Sequence, residues 1–281
     1  MKAIVMAGGE GTRLRPLTCA VPKPMVTLLD KPMLAYVTEH LLRHGITDMA
    51  LTLGYLPFVI TDWFEDNKPQ NMNVEFFIED VPLGTAGSVK NAASFIDGTF
   101  LIVSGDALTD IDLTAAVQAH KAGGAKATIV LKRLGNPLEY GVVITSDDGG
   151  VERFVEKPGW EDVFSDTVNT GIYVLEPEVL DLIPDRTQFD FAKNVFPLMM
   201  SKGMPIYGWV AEGYWCDVGN IESYIKAHED ILKGAVKVDI PGCNAGGIWV
   251  GEGARISNSA LIQSPSFVGA GAVIGDGAKI G

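Results

Sequence analysis

The chain has 281 residues, of which 47% are hydrophobic and 20% charged, a balance that predicts one large or two modest folded domains rather than disorder. Its 35 acidic and 22 basic side chains give a net charge of −13, which argues against nucleic acid or an anionic membrane as a partner and requires any phosphate site to be basic locally. The three cysteines have no paired spacing, so a zinc site is not expected. We also expect no signal peptide before the first strand, and no apolar run approaches the roughly 18 residues of a membrane span. These features favour a cytoplasmic protein.

A glycine-rich loop follows the first predicted strand. Residues 8–18 read GGEGTRLRPLT, and residues 22–24 read PKP. Glycines allow backbone N–H groups to approach an anion closely, and Arg13 and Lys23 add positive charge. Neither a Walker A loop nor a dinucleotide fingerprint fits, because Gly11 is followed by Thr12-Arg13 and a leucine stands at the third glycine position. The loop therefore predicts a nucleotide-binding site of another kind.

Strands and helices alternate up to about residue 130. We predict strands at residues 2–6, 49–53, 74–78, 100–104 and 127–131. A helix over residues 32–44 is indicated by apolar side chains on one face, a proline in the first turn and Gly45 after its end. This order predicts an α/β fold with a Rossmann-like, mostly parallel sheet and helices on both faces. Ligands of such sheets lie beyond the carboxyl ends of the strands, which is where the glycine-rich loop falls.

The second half of this domain has a different pattern. Alternating segments on either side of residues 147–150 predict a hairpin within residues 140–173. A helix over residues 190–201, a strand over residues 206–210 and a helix over residues 220–233 then complete a domain that we place at residues 1–235.

After a linker at residues 236–247, the chain acquires a six-residue period. Apolar residues recur at Val250, Ile256, Ile262, Val268, Ile274 and Ile280. Small residues follow them four places later, at Ala254, Ala260, Ser266, Ala272 and Ala278. Two coinciding periods predict the start of a left-handed parallel β-helix over residues 248–281. Because stacked repeats need several neighbours, we expect the chain to continue or a partner to complete the helix, and we expect a homo-oligomer through this region.

Several segments resemble, in the same order, the motifs of sugar-1-phosphate nucleotidyltransferases, especially mannose-1-phosphate guanylyltransferases and the amino-terminal part of guanylyltransferase/phosphohexomutase proteins. The resemblance covers nearly all of residues 1–235. Its motifs are residues 8–18, 22–24, 82–87 (PLGTAG), 104–106 (SGD), 139–143 (EYGVV), 154–158 (FVEKP), 169–173 (NTGIY) and 215–219 (WCDVG). It implies that an oxygen of a sugar-1-phosphate attacks the α-phosphorus of a nucleoside triphosphate and expels pyrophosphate, chemistry that depends on positioning and charge neutralisation.

Two aspartates are the expected metal ligands. Asp106 follows the predicted strand at residues 100–104, which places its carboxylate at the sheet edge. The resemblance pairs it with Asp217, after another strand-like run, as ligands of one Mg²⁺. Hard oxygen ligands suit a magnesium ion that is also bound through phosphate.

The resemblance also implies roles for individual residues. The catalytic residues are Arg13, Lys23, Asp106 and Asp217. The nucleotide-binding residues are Ala7, Gly8, Gly9, Gly11, Thr12, Arg13, Lys23, Gly84, Thr85 and Asp106. The residues that bind the sugar phosphate are Tyr140, Gly141, Glu156, Lys157 and Asn169. Arg13 would hold the β- and γ-phosphates, Lys23 the α-phosphate and Lys157 the phosphate of the sugar. Thr85 has a second interpretation, as the N-cap of the helix that follows it.

Three alternatives remain at this point. GTP with mannose-1-phosphate is favoured by residues 83–87, but residues 187–191 (TQFDF) differ from many guanylyl relatives, so UTP or dTTP with glucose-1-phosphate stays open. A non-catalytic regulatory subunit that binds a sugar nucleotide is the alternative of another class. An acyltransferase activity of the hexad segment is disfavoured, because no histidine follows His228.

Other reactive side chains are interpreted as structural. His40 and His44 are one helical turn apart, but the order of their neighbours does not fit a zinc-protease motif, and we expect both on the solvent side of the helix. We expect Cys19 and Cys216 to serve in packing.

Overall fold

The structure is a computed structural model that describes residues 1–156, 159 and 165–281. Its α-helices are α1 (Met33–Arg43), α2 (Pro57–Asn67), α3 (Gly84–Asn91), α4 (Leu113–Gly123), α5 (Phe196–Ser201) and α6 (Ile221–Leu232). Its strands are β1 (Lys2–Met6), β2 (Thr27–Leu28), β3 (Lys31–Pro32), β4 (Asp48–Leu53), β5 (Asn73–Ile78), β6 (Phe100–Ser104), β7 (Ala107–Thr109), β8 (Ala127–Arg133), β9 (Gly141–Thr145), β10 (Val151–Glu156), β11 (Thr167–Leu175), β12 (Ile206–Val210), β13 (Trp215–Asp217), β14 (Cys243–Ala245), β15 (Ile248–Val250), β16 (Arg255–Ile256), β17 (Leu261–Ile262), β18 (Ser266–Val268), β19 (Val273–Ile274) and β20 (Lys279–Ile280). Tight 3₁₀ turns occupy Thr12–Leu14, Lys23–Met25, Ala93–Phe95 and Pro177–Leu182, and a π-helical turn at Phe191–Val195 leads into α5.

The central sheet has nine strands. Its main path runs β10-β9-β11-β6-β1-β4-β5, and β8 joins β11 to β12. The neighbours β6, β1, β4 and β5 are parallel, as predicted for an α/β fold. Their carboxyl ends therefore meet at one edge of the sheet, where the glycine-rich loop begins.

Strand β11 runs against the direction of the parallel group. It is antiparallel to β6, β8 and β9, and β9 is in turn antiparallel to β10. The hairpin predicted within residues 140–173 is thus confirmed as β9–β10, whereas the reversal at β11 was not predicted. This reversal brings the hairpin beside the parallel strands and widens the sheet edge on which a site can form.

Helices cover both faces of the sheet, as predicted. On β1, Ala3 and Val5 are fully buried and share a core cluster with residues of α1, α2 and α4. Ile4 between them is also fully buried and belongs to a second cluster with residues of α3 and α5. Successive strand residues point to opposite faces, so one continuous apolar strand supplies both cores.

The C-terminal strands form parallel pairs at a fixed spacing. Ile248 pairs with Ser266 and Arg255 with Val273, an offset of 18 residues or three hexads. This repeat is consistent with the start of a parallel β-helix. Strand β14 pairs antiparallel with β15, so a strand forms inside the segment expected to be a linker. The carboxylate of Asp30, between β2 and β3, accepts a hydrogen bond from the backbone of Ala270 at 2.9 Å and links the C-terminal strands to the rest of the chain.

The predictions for His40 and Cys19 were wrong, and His44 is only partly exposed. His40 is only 5% exposed, and its Nε2 is 2.8 Å from the carbonyl oxygen of Ile111, because α1 packs against the segment before α4. His44 is partly buried and its Nδ1 is 2.8 Å from the Thr114 hydroxyl. Cys19 is exposed, whereas Cys216 does pack against a core cluster. Within the described residues, no helix combines the length and the apolar character needed to cross a membrane.

Candidate active site

One buried lysine joins two carboxylates at the sheet edge. The Nζ atom of Lys23 lies 2.5 Å from Oδ2 of Asp106 and 3.0 Å from Oδ1 of Asp217. Asp217 ends β13, and its register partner is Ala107 in β7, directly after Asp106. This antiparallel pair therefore places side by side two aspartates that are far apart in the sequence.

The charges of these three groups depend on one another. Burial opposes ionisation of Asp106, but the ammonium of Lys23 and a hydrogen bond from Ser104 hold the pKa of Asp106 below its ordinary value. Burial and the neighbouring Asp106 charge raise the pKa of Asp217 above its ordinary value. Burial alone would lower the pKa of Lys23, yet the two carboxylates raise it. The lysine therefore stays charged although it is buried.

The glycine-rich loop positions Arg13 and Lys23. Gly11 has φ +70°, and a Cβ there would lie 2.8 Å from Cβ of Lys23, so this glycine permits the lysine to pack against the loop. The fully buried Leu14 anchors the 3₁₀ turn that carries Arg13. A Cβ on Gly219 would lie 3.1 Å from the guanidinium of Arg13 and 3.1 Å from the carboxylate of Asp217. A second glycine thus leaves room for the arginine beside the aspartate.

A cleft of 660 Å³ opens between the glycine-rich loop and the segment that precedes α3. Gly8 and Gly9 line one side, and residues 79–85 line the other. Glu79 directly follows β5, and its carboxylate accepts hydrogen bonds from the backbone N–H of Leu83 at 3.1 Å and from the Ser88 hydroxyl. Glu79 is therefore held against the start of α3, in a cleft that is also lined by the carboxylates of Glu10, Asp80, Asp106 and Asp190.

The structure brings part of the predicted nucleotide-binding set into this cleft. Its lining includes five of those residues: Gly8, Gly9, Gly84, Thr85 and Asp106. The side chains of Arg13 and Lys23 line the neighbouring cleft instead. Among the residues that line either cleft in the described part of the chain, Ala7, Gly11 and Thr12 do not occur. The backbone N–H of Ala7 is bonded to the carbonyl oxygen of Thr52 at 2.9 Å.

Thr85 is not an N-cap. Helix α3 begins at Gly84, and the cap position is Leu83 without a side-chain hydrogen bond. The Thr85 hydroxyl instead lies 3.2 Å from Oδ1 of Asp190 and accepts a hydrogen bond from the backbone of Phe191 at 3.0 Å. Gly84 has φ +70°, a left-handed conformation that glycine adopts readily.

A second cleft, of 380 Å³, lies beside the first. Its lining contains four of the residues predicted to bind the sugar phosphate, Tyr140, Gly141, Glu156 and Asn169, together with Arg13, Lys23, Asp106 and Asp217. The ring of Tyr140 packs edge to face on Trp215 at 5.3 Å, and burial together with the Asp217 charge raises the pKa of Tyr140 to about 12. Lys157 falls outside the described residues.

The two clefts share four lining residues, which are Thr85, Ser104, Asp106 and Asp190. A molecule in one cleft can therefore meet a molecule in the other at the Asp106 carboxylate. Arg13 and Lys23 line the second cleft together with Asp106. The arrangement can bring two phosphate-bearing groups together and offset their charge, which is the requirement of phosphoryl transfer.

The lining residues that were not predicted from the sequence include Glu79, Asp190 and Lys193. Glu79 could have been predicted, because it directly follows the parallel strand β5, much as Asp106 lies two residues after the end of β6. Asp190 and Lys193 could not have been predicted, since their position depends on the contact of residues 187–191 with α3. The Phe189 carbonyl accepts hydrogen bonds from the backbones of Ala86 and Gly87 at 2.8 and 3.0 Å and fixes that contact.

Known proteins are similar to this chain in sequence and in fold. The nucleotidyl transferase family profile matches residues 2–234. A UTP–glucose-1-phosphate uridylyltransferase of Synechocystis sp. is 36% identical over 100% of this chain and 76% of its own length, and a mannose-1-phosphate guanylyltransferase of Mycobacterium tuberculosis is 34% identical over 99% of this chain and 77% of its own. The crystal structure of HddC from Yersinia pseudotuberculosis, complexed with GMP-PN, has a TM-score of 0.71 at 29% identity and covers 82% of this chain and 99% of that one. The chain therefore belongs to the nucleotidyl transferase family and is one of its sugar-1-phosphate nucleotidyltransferases.

Proposed function

We propose that the chain condenses GTP with mannose-1-phosphate to give GDP-mannose and pyrophosphate. The observation that carries this proposal is the meeting of the two clefts at Asp106, with Arg13 and Lys23 beside the junction. An oxygen of the sugar phosphate would attack the α-phosphorus, the bond from that phosphorus to the bridging oxygen would break, and pyrophosphate would leave with both electrons of that bond. No covalent link to the protein is needed.

Glu79 supports guanine as the base. Guanine presents two neighbouring donors, N1–H and N2–H, to a carboxylate, whereas uracil and thymine present one N–H between two carbonyl oxygens. A carboxylate opposite the N–H of uracil or thymine would also face at least one carbonyl oxygen, which repels it. With its remaining acceptor capacity, Glu79 at the edge of the first cleft therefore suits guanine better.

The second candidate is UTP or dTTP with glucose-1-phosphate. It is supported by the Synechocystis relative, whose name states a uridylyltransferase activity, at 36% identity. The relative from M. tuberculosis, named a guanylyltransferase, is 34% identical. Identity at this level does not discriminate between the bases, so the choice rests on the chemistry of Glu79.

Mg²⁺ is the cofactor that the site would take. Asp106 and Asp217 converge on one point, where the ammonium of Lys23 lies, and supply hard oxygen ligands from both sides of it. Magnesium is usually bound through one or two carboxylates plus substrate phosphates, which fits this pair. When bound, the ion would neutralise phosphate charge and hold the two substrates at the junction.

The remaining residues would orient and neutralise the substrates. Arg13 would donate two parallel hydrogen bonds to the β- and γ-phosphates and stabilise the departing pyrophosphate. Lys23 would turn from its place between the aspartates, which the metal would take, and donate to the α-phosphate. Glu156 and Asn169 would bond sugar hydroxyls, and we keep Lys157 as a ligand of the sugar phosphate on the resemblance alone.

A substrate matrix tests the proposal. Pyrophosphate release is measured for GTP, UTP and dTTP, each with mannose-1-phosphate and glucose-1-phosphate, with Mg²⁺ and with EDTA. We expect the highest kcat/KM for GTP with mannose-1-phosphate, no release with EDTA, and a larger loss with GTP than with UTP in Glu79→Gln. Release with none of the pairs would contradict the reaction, and a preference for UTP or dTTP would establish the second candidate.

Asp106→Asn provides the catalytic variant for the same assay. We expect turnover to fall by about a thousandfold or more, because the carboxylate at the junction is lost, while nucleotide binding remains measurable. Asp66→Asn, an exposed aspartate on α2, is the matched control and should keep wild-type activity.

A further inference from the structure

We infer that Lys193 binds the phosphate of the sugar-1-phosphate and that Asp190 positions it. This inference rests on the proposed function, because it assigns a ligand of the second substrate. Lys193 lines the second cleft, where the sugar phosphate would lie. Neither the sequence motifs nor the residue roles expected from them include it.

The charge of the second cleft requires a further cation. Its described lining contains three cations, Arg13, Lys23 and Lys193, and five carboxylates, Asp106, Glu139, Glu156, Asp190 and Asp217. Lys23 is already bound to two of these carboxylates, and Arg13 lies close to Asp217, where its charge offsets only part of the rise in the pKa of Asp217 that burial and Asp106 cause. In the part of the chain that the structure describes, the side chain of Lys193 has no hydrogen-bond or ion-pair partner. Among the described lining residues, its ammonium is therefore the cation that is available to bind the phosphate dianion of the sugar-1-phosphate.

The backbone around Lys193 is held in place on both sides. Lys193 is the middle residue of the π-helical turn Phe191–Val195, whose end residues are fully buried while Lys193 itself is exposed. The ring of Phe191 packs on Tyr173 at 5.1 Å. A single π-helical turn widens a helix locally and often occurs at functional sites. Here its two buried ends direct the residue between them toward the cleft.

Asp190 connects this turn to the nucleotide cleft. Its Oδ1 lies 3.2 Å from the backbone nitrogen and 3.2 Å from the hydroxyl of Thr85, at the start of α3. Its backbone N–H donates to the Asn194 side chain at 2.8 Å, and its carbonyl accepts from the backbones of Asn194 and Val195. Since Thr85 and Asp190 line both clefts, the segment that carries Lys193 is fixed to the wall of the nucleotide site.

Steady-state kinetics of the full chain test the assignment, with whichever substrate pair is active in the matrix above. In Lys193→Met, loss of a charge-assisted contact should raise KM for the hexose-1-phosphate about 10- to 100-fold while KM for the triphosphate changes by less than about twofold. Lys193→Arg should restore part of the affinity. Lys202→Met, an exposed lysine at the end of the same helix, is the control and should match the wild type.

Two further measurements separate binding from a structural effect. Stabilisation of the wild type against heat by hexose-1-phosphate, without nucleotide, should be lost in Lys193→Met although both proteins melt alike without ligand. In a double-mutant cycle, Asp190→Ala should raise KM for the hexose-1-phosphate in the wild type but add little in Lys193→Met, because its effect passes through the lysine. An unchanged KM for the hexose-1-phosphate in Lys193→Met, or equal increases for both substrates, would overturn the inference. These results are distinct from failure of the proposed function, in which the wild type releases no pyrophosphate with any pair.

Discussion

At the scale of single residues, the site depends on charges that are buried together. Lys23 is only 8% exposed, and an unpaired ammonium at that depth would be strongly unfavourable. Asp106 and Asp217 supply the opposite charges, at 2.5 Å and 3.0 Å from its Nζ atom. The same carboxylates are the ligands that we propose for Mg²⁺, so binding of the metal would require the lysine to turn toward the phosphates.

His40 supplies a residue-scale prediction for stability. Burial and the nearby His44 lower its pKa from 6.5 to about 4. A histidine in the unfolded chain keeps the higher pKa, so between pH 6.5 and about 4 the unfolded state binds more protons than the folded state. Stability that is complete above pH 6.5 should therefore fall through this window, by about 3 kcal/mol for this group.

Urea unfolding of the wild type and of His40→Gln, from pH 7.5 to 4, measures this effect. Glutamine retains an N–H donor for the Ile111 carbonyl but does not titrate, so its free energy of unfolding should fall less with acid. Parallel pH profiles of the two proteins would show that His40 is not the titrating group.

Site residues were located correctly from the sequence where they belong to a recognisable motif. Asp106 was placed by its position after a strand, and the structure does put it at the sheet edge. Glu79 satisfies nearly the same rule but belongs to no expected role, so it was passed over. His40 was misplaced because a helix packed on two sides buries a residue that lies off its main apolar face.

At the scale of elements, local patterns located the parallel strands and helix α1 within one or two residues. The direction of β11 could not be inferred, because it depends on pairing with strands distant in the sequence. The start of α3 was also missed, since Thr85 fits the sequence signal of an N-cap. Its hydroxyl is engaged instead with Asp190, a contact between elements that no local pattern encodes.

Gly84→Ala tests how α3 and the segment at residues 187–191 fit together. Its φ of +70° is unfavourable for alanine by about 1–2 kcal/mol, and the added Cβ would lie 2.8 Å from the Phe189 carbonyl oxygen. We expect a lower melting temperature and weaker nucleotide binding. Gly98→Ala, where nothing lies within 4 Å of the added Cβ, is the control, and equal behaviour of the two variants would refute this fit.

Across the whole molecule, the alternation of strands and helices corresponds to the central sheet, and the six-residue period corresponds to the short C-terminal strands. The central sheet carries both clefts, and the hexad segment forms parallel pairs 18 residues apart. The apolar side chains of Leu261 and Val273 are each 64% exposed on these coils. That the hexad segment serves homo-oligomer assembly stays a prediction, which sedimentation of the full chain would check.

Gly251→Ala tests whether the coils are independent of catalysis. A Cβ at residue 251 would lie 2.5 Å from the backbone nitrogen of Ala270, in the adjacent coil, whereas nothing lies within 4 Å of a Cβ at Gly275. We expect Gly251→Ala to lower the thermal stability of the hexad segment by disturbing the pairing of β15 with β18, with kcat within about twofold of the wild type. Gly275→Ala should leave both properties unchanged. Loss of turnover in Gly251→Ala would show that the coils support the active site.

We propose that the nucleotide and the sugar phosphate occupy different clefts that meet at Asp106. A crystal structure of the full chain with GDP-mannose and Mg²⁺ measures this most directly. We expect the base beside Glu79 and Gly84, the diphosphate at the junction with Asp106 and Asp217, and the hexose beside Tyr140 and Asn169. A product with its diphosphate away from Asp106, or with base and sugar in the same cleft, would contradict it.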